Sequence, residues 1–409
     1  MLVWYTCTHL GGSLTDLFRM MVNDGVHTTV CNIWLPHFFG SPMAWRLIAI
    51  FMASQLLFMR IIPGKKFLGP ITPKGNIPIY KENGVACFLL TLGLFSLFSF
   101  GLNLFSASII FDHFGDILGA MTLFSLIFCL LLYFKGLYAP SSSDNGSSGN
   151  PIMDYYWGTE LYPRILGWDV KMFTNCRFGM MSWGLILVSY AAKQHELYGI
   201  SDAMIVAVSL QLLYIGKFFF WEGGYLRSLD IMHDRAGFYI CWGCLVWVPC
   251  IYTSPTLYLV HHPNHLGPLF ASLIFGLGVI SILTNYMADR QRMRVRNSNG
   301  KSNVFGKKPV LICAKYKATT GEQKDSLLLA SGFWGISRHF HYVPEILGAF
   351  FWSAPALFTG FLPYFYLVFL IILLTDRAMR DDQRCHAKYG KYWDRYCEKV
   401  PYKIIPFIF

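Results

Sequence analysis

The sequence predicts an all-α protein, a polytopic bundle of transmembrane helices, on three observations. Its 409 residues are 54% hydrophobic and only 14% charged, and the mean hydropathy is +0.42. Long apolar stretches recur along the chain, each close to the roughly 20 residues that a helix needs to cross a bilayer. Basic residues concentrate in 290–324 and 377–403, within a formal net charge of +11, and positive segments between spans are typical of the cytosolic side. These features exclude a disordered chain and an ordinary soluble enzyme.

The apolar stretches fix the predicted number of crossings. The last is long enough for a helical hairpin that breaks at Pro355 or within 360–363, because proline and glycine interrupt helices. The count is therefore about nine to ten spans. The predicted stretches lie near 44–62, 85–105, 114–134, 177–194, 203–221, 236–260, 267–286 and 344–375.

The polar segments between these stretches are predicted as connections. The segment 63–84, rich in Pro, Gly and Lys, is expected to be a surface connector. The segment 139–150 is expected to be a flexible loop, in which Asn145 is a glycosylation acceptor by pattern if the loop is lumenal. The helix beyond Tyr286 is expected to continue until 297–306 breaks it, and 310–323 to form a short hairpin.

Two motifs suggest metal or redox chemistry by their letters alone. Cys241 and Cys244 match CxxC, but they lie inside an apolar stretch without a second pair, so we interpret them as packing residues. His261, His262 and His265 form one histidine-rich segment, whereas membrane di-iron enzymes use several, so no metal site is predicted.

An acidic segment, 221–239, interrupts two apolar stretches. Glu222, Arg227 and Asp230 are within helical reach of one another and are expected to pair. The segment is either a polar loop between spans or the polar wall of a pocket. In the second case a desolvated carboxyl with a raised pKa is able to donate a proton.

Three separate segments combine cationic and aromatic residues at helical spacing. Arg292 and Arg296 are spaced i, i+4, and Trp334, Arg338 and Tyr342 are expected on one face of a single helix. The tail repeats the pattern at three- and four-residue steps with Asp381, Cys385, Lys388, Tyr389, Tyr392 and Tyr396. Aromatic faces suit a flat heterocycle, Arg and Lys suit phosphates, and a carboxylate suits a ribose hydroxyl. These segments are either a dinucleotide site without a Rossmann fold or amphipathic helices that snorkel at the membrane surface.

Several long motifs resemble the membrane sterol reductase family, which includes the sterol C14, C24(28) and C7 reductases and the lamin B receptor. In chain order they are GPITPKGNIPIYKENG, GTELYPRILGWDVKMFTNCRFGMMSW, DIMHDRAGFYICWGCLVWVPCIYTSP, LLLASGFWGISRHFHYVPE and LLTDRAMRDDQRCHAKYGKYWDRYCEKVPYKIIPFIF. The resemblance covers nearly the whole chain, and the motifs are more similar to the C7 branch than to the C14 branch.

The resemblance implies an endoplasmic-reticulum membrane enzyme with ten spans, NADPH as reductant, and a sterol bound within the bilayer among membrane lipids. Residues 1–286 would form the scaffold and part of the sterol pocket, and the cytosol-facing residues 287–409 the cofactor region. A nucleic-acid partner is not expected. The cofactor-binding positions implied by the motifs are Arg292, Arg296, Leu329, Trp334, His341, Tyr342, Asp381, Cys385, His386, Ala387, Lys388, Tyr389 and Tyr396.

Reduction of a carbon–carbon double bond by this chemistry needs a protein acid and an environment that stabilises positive charge. The residues expected to supply both are Glu222, Tyr225, Asp230, His233, Asp234 and Asp381.

Three alternatives stay open at the level of sequence. Sterol C14 reduction in the same family is one. A membrane methyltransferase that uses S-adenosylmethionine is another, although Phe340 stands where those enzymes carry proline after Arg-His. A non-catalytic sterol-binding scaffold is the third. The chain also starts partway through the first span of its relatives, so that crossing is expected to be truncated or absent.

Overall fold

The computed structural model describes residues 1–317 and 323–409 and is helical apart from three small hairpins. Two compact units are present. Unit 1 comprises Met1–Pro268 with Pro355–Phe365, and unit 2 comprises Leu269–Ala354 with Tyr366–Phe409. The predicted fold class, a polytopic helical membrane protein, is confirmed.

The helices of unit 1 lie in its long first segment, Met1–Pro268. They are α1 Leu2–His9, α2 Leu14–Asn23, α3 Val26–Trp34, α4 Pro42–Ile61, α5 Gly84–Ser96, α6 Ile109–Asp112, α7 Phe114–Tyr138, α8 Pro151–Trp157, α9 Met180–Tyr198, α10 Asp202–Phe220, α11 Glu222–Tyr225, α12 Leu229–Met232, α13 Phe238–Trp242 and α14 Ser254–His261. Short 3₁₀ turns lie at Leu35–His37 and Leu362–Tyr364, and π-helical segments at Leu97–Gly101, Met172–Gly179 and Gly243–Tyr252.

The remaining helices begin with the longest one in the chain. They are α15 Pro268–Asn297, α16 Phe333–Ile336, α17 Tyr342–Ser353, α18 Phe365–Tyr389 and α19 Lys391–Lys399, with a 3₁₀ turn at Ala354–Ala356. The predicted end of α15 near Asn297 is confirmed. The predicted break in the last hairpin is confirmed as well, because no helix longer than three residues lies between Ser353 and Phe365 in this described part of the chain.

Three two-stranded antiparallel sheets complete the fold. In unit 1, β1 Lys65–Leu68 pairs with β2 Ile79–Glu82, and β3 Arg164–Ile165 pairs with β4 Trp168–Asp169. In unit 2, β5 Leu311–Lys317 pairs with β6 Gln323–Leu329. These last two strands confirm the predicted hairpin and extend it to Leu329, while its residues 318–322 lie outside the described residues.

Seven helices of the described chain are long and apolar enough to cross a membrane. They are Pro42–Ile61, Gly84–Gly101, Phe114–Tyr138, Asp202–Phe220, Phe238–His261, Pro268–Asn297 and Leu362–Tyr389. Each coincides with a predicted stretch. The stretches at 177–194 and the first half of 344–375 are also helical, in α9 and α17, but are not among the seven.

Local chemistry explains where these helices begin and how closely they pack. Ser41 caps α4 by accepting a hydrogen bond from the backbone N–H of Ala44 at 3.3 Å, and Pro42 follows at the first helical position, where proline is favoured. A Cβ atom on Gly119 of α7 would overlap the carbonyl oxygen of His37, so only glycine allows this approach.

The single helix predicted through Trp334, Arg338 and Tyr342 is wrong. Helix α16 ends at Ile336, Ser337 is extended with φ −152° and ψ 159°, and α17 begins at Tyr342. The reason is tertiary: the backbone N–H groups of Arg338 and His339 donate to carbonyls of residues 402 and 403 at 2.9 and 2.8 Å. The stripe predicted along the tail is likewise divided, because Gly390 with φ +50° separates α18 from α19.

Candidate functional site

An arginine on α15 lies flat against a buried indole. The guanidinium carbon of Arg292 is 3.9 Å from the ring centre of Trp334, and its Nη2 lies 3.2 Å from Oδ1 of Asp289. The Trp334 indole is only 3% exposed and donates from Nε1 to the carbonyl of Ala288 at 2.7 Å. Two of the predicted cofactor residues, 42 positions apart in the sequence, therefore form one cation–π pair.

Aromatic rings continue from Trp334 into the segment that follows. The ring centres of Trp334 and His341 are 5.0 Å apart, and those of His341 and Tyr342 are 4.2 Å apart. Tyr342 also stacks on His339, with 5.3 Å between centres and 8° between planes. The carbonyl of His341 accepts from Nδ2 of Asn285 on α15 at 2.8 Å. The arrangement is an aromatic surface fixed against the arginine-bearing helix.

Asp381 on α18 places a carboxylate beside the ring of His339. Its Oδ1 lies 2.6 Å from Nη2 of Arg384, its Oδ2 lies 4.0 Å from Nε2 of His339, and the Cys385 thiol contacts Oδ2 at 3.8 Å. The carboxylate is 22% exposed. It is thus accessible to a ligand while being oriented by a neighbouring cation.

The tail closes onto the same group of residues. The hydroxyl of Tyr396 on α19 donates to the carbonyl of Trp334 at 3.3 Å. Lys388 places Nζ 4.1 Å from the ring centre of Tyr316 and 5.1 Å from that of Tyr389. The hydroxyl of Tyr389 donates to Ser326 at 3.3 Å. The tail therefore contacts both the α16 segment and the β5–β6 hairpin.

The other predicted cofactor residues differ in burial and in their partners. Leu329 is buried against Trp334 and Val295, and Arg296 donates from Nε to the carbonyl of Leu327 at 3.4 Å. His386 and Ala387 are exposed, and His386 pairs with Asp394 at 3.2 Å. We define the cationic-aromatic cluster as Arg292, Trp334, His339, His341, Tyr342, Asp381, Cys385, Lys388, Tyr389 and Tyr396, all in unit 2.

Two charged residues outside the predicted site hold the tail in place. Arg338 is 7% exposed, donates to the carbonyls of Val400 and Pro401 at 2.9 Å each, and places Nε 3.5 Å from Asp382. Asp382 also accepts from the Trp393 indole at 3.1 Å. Both are charged residues within the cationic and aromatic segments of the sequence, and that position does not reveal that they act as structural ties.

Burial makes His339 a neutral imidazole. It lowers the pKa of His339 to about 4, although the nearby Asp381 acts in the opposite direction. Burial likewise raises the pKa of Tyr342 and of Tyr396 to about 12. All three rings are therefore uncharged at neutral pH.

The low pKa of His339 predicts an acid-sensitive fold. Between its ordinary value of 6.5 and about 4, the unfolded chain binds the proton and the folded chain does not, so stability is lost as pH falls through this range. The loss approaches about 3 kcal/mol. We expect the unfolding midpoint of the wild type to fall more between pH 7 and pH 4.5 than that of His339→Gln, measured by thermal unfolding in neutral detergent. Parallel pH profiles for the two proteins would contradict this.

In unit 1 the acidic segment is tied to a buried arginine that is distant in sequence. Arg177 is fully buried and donates from Nη1 to Oε1 of Glu222 at 2.6 Å. Its Nη2 donates to Asn83 at 2.8 Å, and Oε2 of Glu222 accepts from the backbone N–H of Gly84 at 2.9 Å. The expectation that Glu222 takes part in an internal pair with Arg227 is wrong, because both of its oxygens are held by groups from other elements.

The rest of the acidic segment is fixed through its backbone. The ammonium group of Lys171, itself fully buried, donates to the carbonyls of Asp230, Ile231 and Asp234 at 2.8 Å each. Tyr225 packs on Phe218 with 5.4 Å between ring centres. Of the remaining predicted residues, Asp234 is buried, Asp230 is half-buried and His233 is exposed.

Sequence reasoning did not assign a role to Arg177 or Lys171. A signal was present, because a charged side chain inside an apolar helix is expensive and usually has a specific partner. Spacing does not identify such a partner, since Arg177 and Glu222 are 45 positions apart. Among the described residues no group of three or more His, Cys, Asp or Glu side chains is arranged to hold a metal ion.

Comparison with known proteins supplies the family. Residues 16–409 match the model of the ergosterol biosynthesis ERG4/ERG24 family. The chain is 54% identical to the 7-dehydrocholesterol reductase of Arabidopsis thaliana, over 100% of this chain and 94% of that protein. It is 36% identical to the delta(14)-sterol reductase of Methylotuvimicrobium alcaliphilum, over 90% of this chain and 84% of that protein. It is 35% identical to the 7-dehydrocholesterol reductase of Danio rerio, over 88% of this chain and 77% of that protein. The protein belongs to the ergosterol biosynthesis ERG4/ERG24 family of sterol reductases.

Proposed function

We propose that this protein reduces the C7–C8 double bond of a 5,7-diene sterol with NADPH, in sterol biosynthesis. The identity of 54% to a 7-dehydrocholesterol reductase along the whole chain supports this choice of bond over the C14 alternative, for which the relative is 36% identical. The family match across residues 16–409 disfavours the methyltransferase alternative.

The observation that carries the proposal is the convergence of three sequence segments in unit 2. Arg292 comes from α15, Trp334 from α16, and Tyr396 from α19, and each contacts the next at 3.9 Å and 3.3 Å. An amphipathic helix lying on a membrane surface has no need for such long-range contacts. A site for a large ligand with charged and planar parts does.

The cluster fits the chemistry of a nicotinamide dinucleotide phosphate. Arg292, Arg296 and Lys388 are cations for phosphate groups, and the rings of His339 and Tyr342 offer flat surfaces for a heterocycle. Asp381 is a carboxylate acceptor for ribose hydroxyls. Nε2 of His339 is buried without a hydrogen-bond partner, so a polar ligand group would satisfy it. On these grounds we assign residues 287–409 as the cofactor region.

When bound, NADPH supplies the hydride. The chain must then provide a proton, hold the sterol ring in position and exclude water while positive charge develops. Aromatic faces and carboxylates stabilise such a charge. A carboxyl group donates a proton only if it is protonated before the reaction, which favours one without a strong permanent cation partner.

Two of the candidate donors, Glu222 and Asp381, have such a cation partner. Glu222 is held in an ion pair with Arg177 at 2.6 Å, so we propose that it maintains the pocket wall of unit 1 and is not the donor. Asp230 and Asp234, with Tyr225 and His233 as their neighbours in sequence, are kept as donor candidates on the sequence argument alone. Asp381, beside Arg384 at 2.6 Å, is better suited to bind a hydroxyl as an anion.

The protein is a multi-pass membrane protein, and we propose the endoplasmic reticulum as its membrane. The sterol nature of the proposed substrate supports a bilayer location, because a sterol dissolves in hydrocarbon. The connection 62–83 holds four lysines, whereas 102–113, at the other end of α5, holds no Lys or Arg. By the positive-inside rule the first of these is cytosolic.

This orientation bears on Asn145. The side chain of Asp144 accepts from Thr72 at 2.6 Å, so the loop at 139–150 lies on the same side as the lysine-rich connection. Nδ2 of Asn145 donates to the carbonyl of Gly136 at 3.3 Å. We therefore propose that Asn145 is cytosolic and not glycosylated.

The experiment that tests the activity is expression in yeast strains blocked at defined steps of sterol synthesis, followed by mass analysis of the sterols. Loss of the conjugated ring-B diene supports C7 reduction. Loss of a C14 double bond with the diene unchanged would support the C14 alternative and contradict our proposal.

A second prediction concerns the preference for NADPH over NADH. We expect the double variant Arg292→Ala, Arg296→Ala to raise the KM for NADPH at least tenfold and the KM for NADH much less, because a charge-assisted contact to phosphate is lost. The matched control is Arg294→Ala, since Arg294 is exposed on the same helix. Steady-state kinetics on the purified proteins measures both values. Equal losses with the two cofactors would exclude a role in phosphate recognition.

A further inference from the structure

Unit 1 contains a cavity of about 450 Å³ that the proposed reductase site does not use. Its walls are the end of α4, the β1–β2 and β3–β4 hairpins, and the beginning of the helix at Met172. The volume falls in the range of roughly 300–1,000 Å³ that is usual for small-molecule sites. We call it the hairpin cavity.

Positive charge dominates the wall of the hairpin cavity. Five cationic residues line it, against one carboxylate, Asp169. The five are Arg60, Lys66, Lys81, Arg164 and Arg177. Since Arg177 is already paired with Glu222, four cations remain beside a single carboxylate. A cleft of this kind concentrates positive potential and attracts an anion.

Three of these four cations are held in place before any ligand arrives. The guanidinium carbon of Arg60 is 5.0 Å from the ring centre of Trp168. Nη2 of Arg164 donates to the carbonyl of Ile79 at 2.5 Å, and Nζ of Lys81 donates to the carbonyl of Arg60 at 2.8 Å. Groups that are already ordered lose little entropy on binding, which favours affinity.

Four side chains at the wall also have a buried polar atom without a hydrogen-bond partner. Three are donors, namely the hydroxyl of Tyr80 and the Nε atoms of Arg164 and Arg177, and one is an acceptor, Oδ2 of Asp169. Tyr80, Asp169 and Arg177 are 5%, 6% and 0% exposed. Unsatisfied buried polar groups are rare in folded proteins. A ligand with acceptor oxygens and at least one hydroxyl complements this set.

The depth of the cavity indicates where that ligand comes from. Met59 and Arg60 lie in the last turn of the span Pro42–Ile61, and Asn83 immediately precedes the span that begins at Gly84. The cavity therefore lies at the level of the lipid headgroups, on the lysine-rich side of the membrane. Basic pockets at this depth on the cytosolic face bind anionic headgroups.

We propose that the hairpin cavity binds the phosphate of an anionic membrane lipid, whose headgroup hydroxyl donates to Asp169. All of its lining residues belong to unit 1, whereas the residues of the proposed cofactor cluster belong to unit 2. The same phosphate chemistry is available from a soluble phosphate ester, so the test distinguishes the two sources.

The test uses calorimetry on the full chain in neutral detergent, with dioctanoyl phosphatidylglycerol, dioctanoyl phosphatidylcholine and glycerol 3-phosphate as probes. We expect saturable binding of phosphatidylglycerol and about tenfold weaker binding in Lys66→Gln and in Arg60→Gln, because each loses one charge-assisted contact. Lys65→Gln is the matched control: Lys65 is adjacent on β1 and exposed, but does not line the cavity.

Each outcome decides the proposal. Binding of phosphatidylglycerol that weakens in both variants and not in the control supports the lipid site. If glycerol 3-phosphate binds as tightly as phosphatidylglycerol, the cavity binds phosphate, but the proposal that the ligand is a lipid is rejected. No saturable binding, or equal binding of phosphatidylcholine, or unchanged affinity in both variants, would overturn the proposal. Lys66 is exposed, so a folding defect is not expected to confuse the result.

Discussion

Asp381→Ala is expected to lower kcat/KM for NADPH-dependent sterol reduction by at least about a hundredfold, the order of effect seen when a buried charged contact to a reacting complex is removed. The reason is the position of the carboxylate between Arg384 at 2.6 Å and His339 at 4.0 Å, next to the ring of Tyr342. Removing this carboxylate leaves Arg384 without Asp381 as its ion-pair partner. It also removes the carboxylate oxygens that the cluster offers to a ligand as hydrogen-bond acceptors. Turnover and thermal unfolding of purified protein measure activity and folding separately.

The same helix provides a control for this prediction. Asp376, five residues before Asp381, forms an ion pair with Arg380 at 2.8 Å, and its carboxylate is 59% exposed. Exposed pairs of this kind contribute less than about 1 kcal/mol. Asp376→Ala is therefore expected to retain wild-type turnover. Full activity in Asp381→Ala would remove Asp381 from the site, and equal losses in the two variants would show that the effect is one of charge on α18 in general.

Sequence periodicity identified most of the helices because the residues that start, continue and end a helix are close together in the sequence. The long α15 ends near Asn297 as predicted, because the Asn, Ser and Gly residues within 297–306 break the helix. The last hairpin breaks between Ser353 and Phe365, where proline and glycine are concentrated. In both cases the signal lies within a few residues of the feature.

The failures occurred where distant contacts override local pattern. Arg338 and Tyr342 have helical spacing from Trp334, yet the helix is interrupted at the extended Ser337, and backbone hydrogen bonds join residues 338 and 339 to the tail. Composition identified the cations and rings of the cluster, while their partners, such as the carbonyl of Trp334 for Tyr396, depend on tertiary structure. The sequence thus predicted which residues belong to the candidate site, but not which of them are in contact.

The buried pair in unit 1 gives the largest expected effect on stability. Arg177→Met is expected to lower the free energy of unfolding by about 3–5 kcal/mol, because it leaves the Glu222 carboxylate buried without its counter-charge. Arg177 and Glu222 are 0% and 3% exposed, so water does not replace the lost partner. Chemical denaturation in neutral detergent measures the change.

A double variant separates this electrostatic effect from a loss of packing. In Arg177→Met with Glu222→Gln the carboxylate is absent, so the loss of stability should be smaller than the sum of the single losses. The surface pair Lys193–Asp112, at 2.7 Å with 20% and 40% exposure, is the matched control, and Lys193→Met should cost less than about 1 kcal/mol. If Arg177→Met costs no more than Lys193→Met, the ion pair does not stabilise the fold. Strict additivity in the double variant would instead mean that Arg177 acts through its bulk, and that the acidic segment keeps its position without the charge.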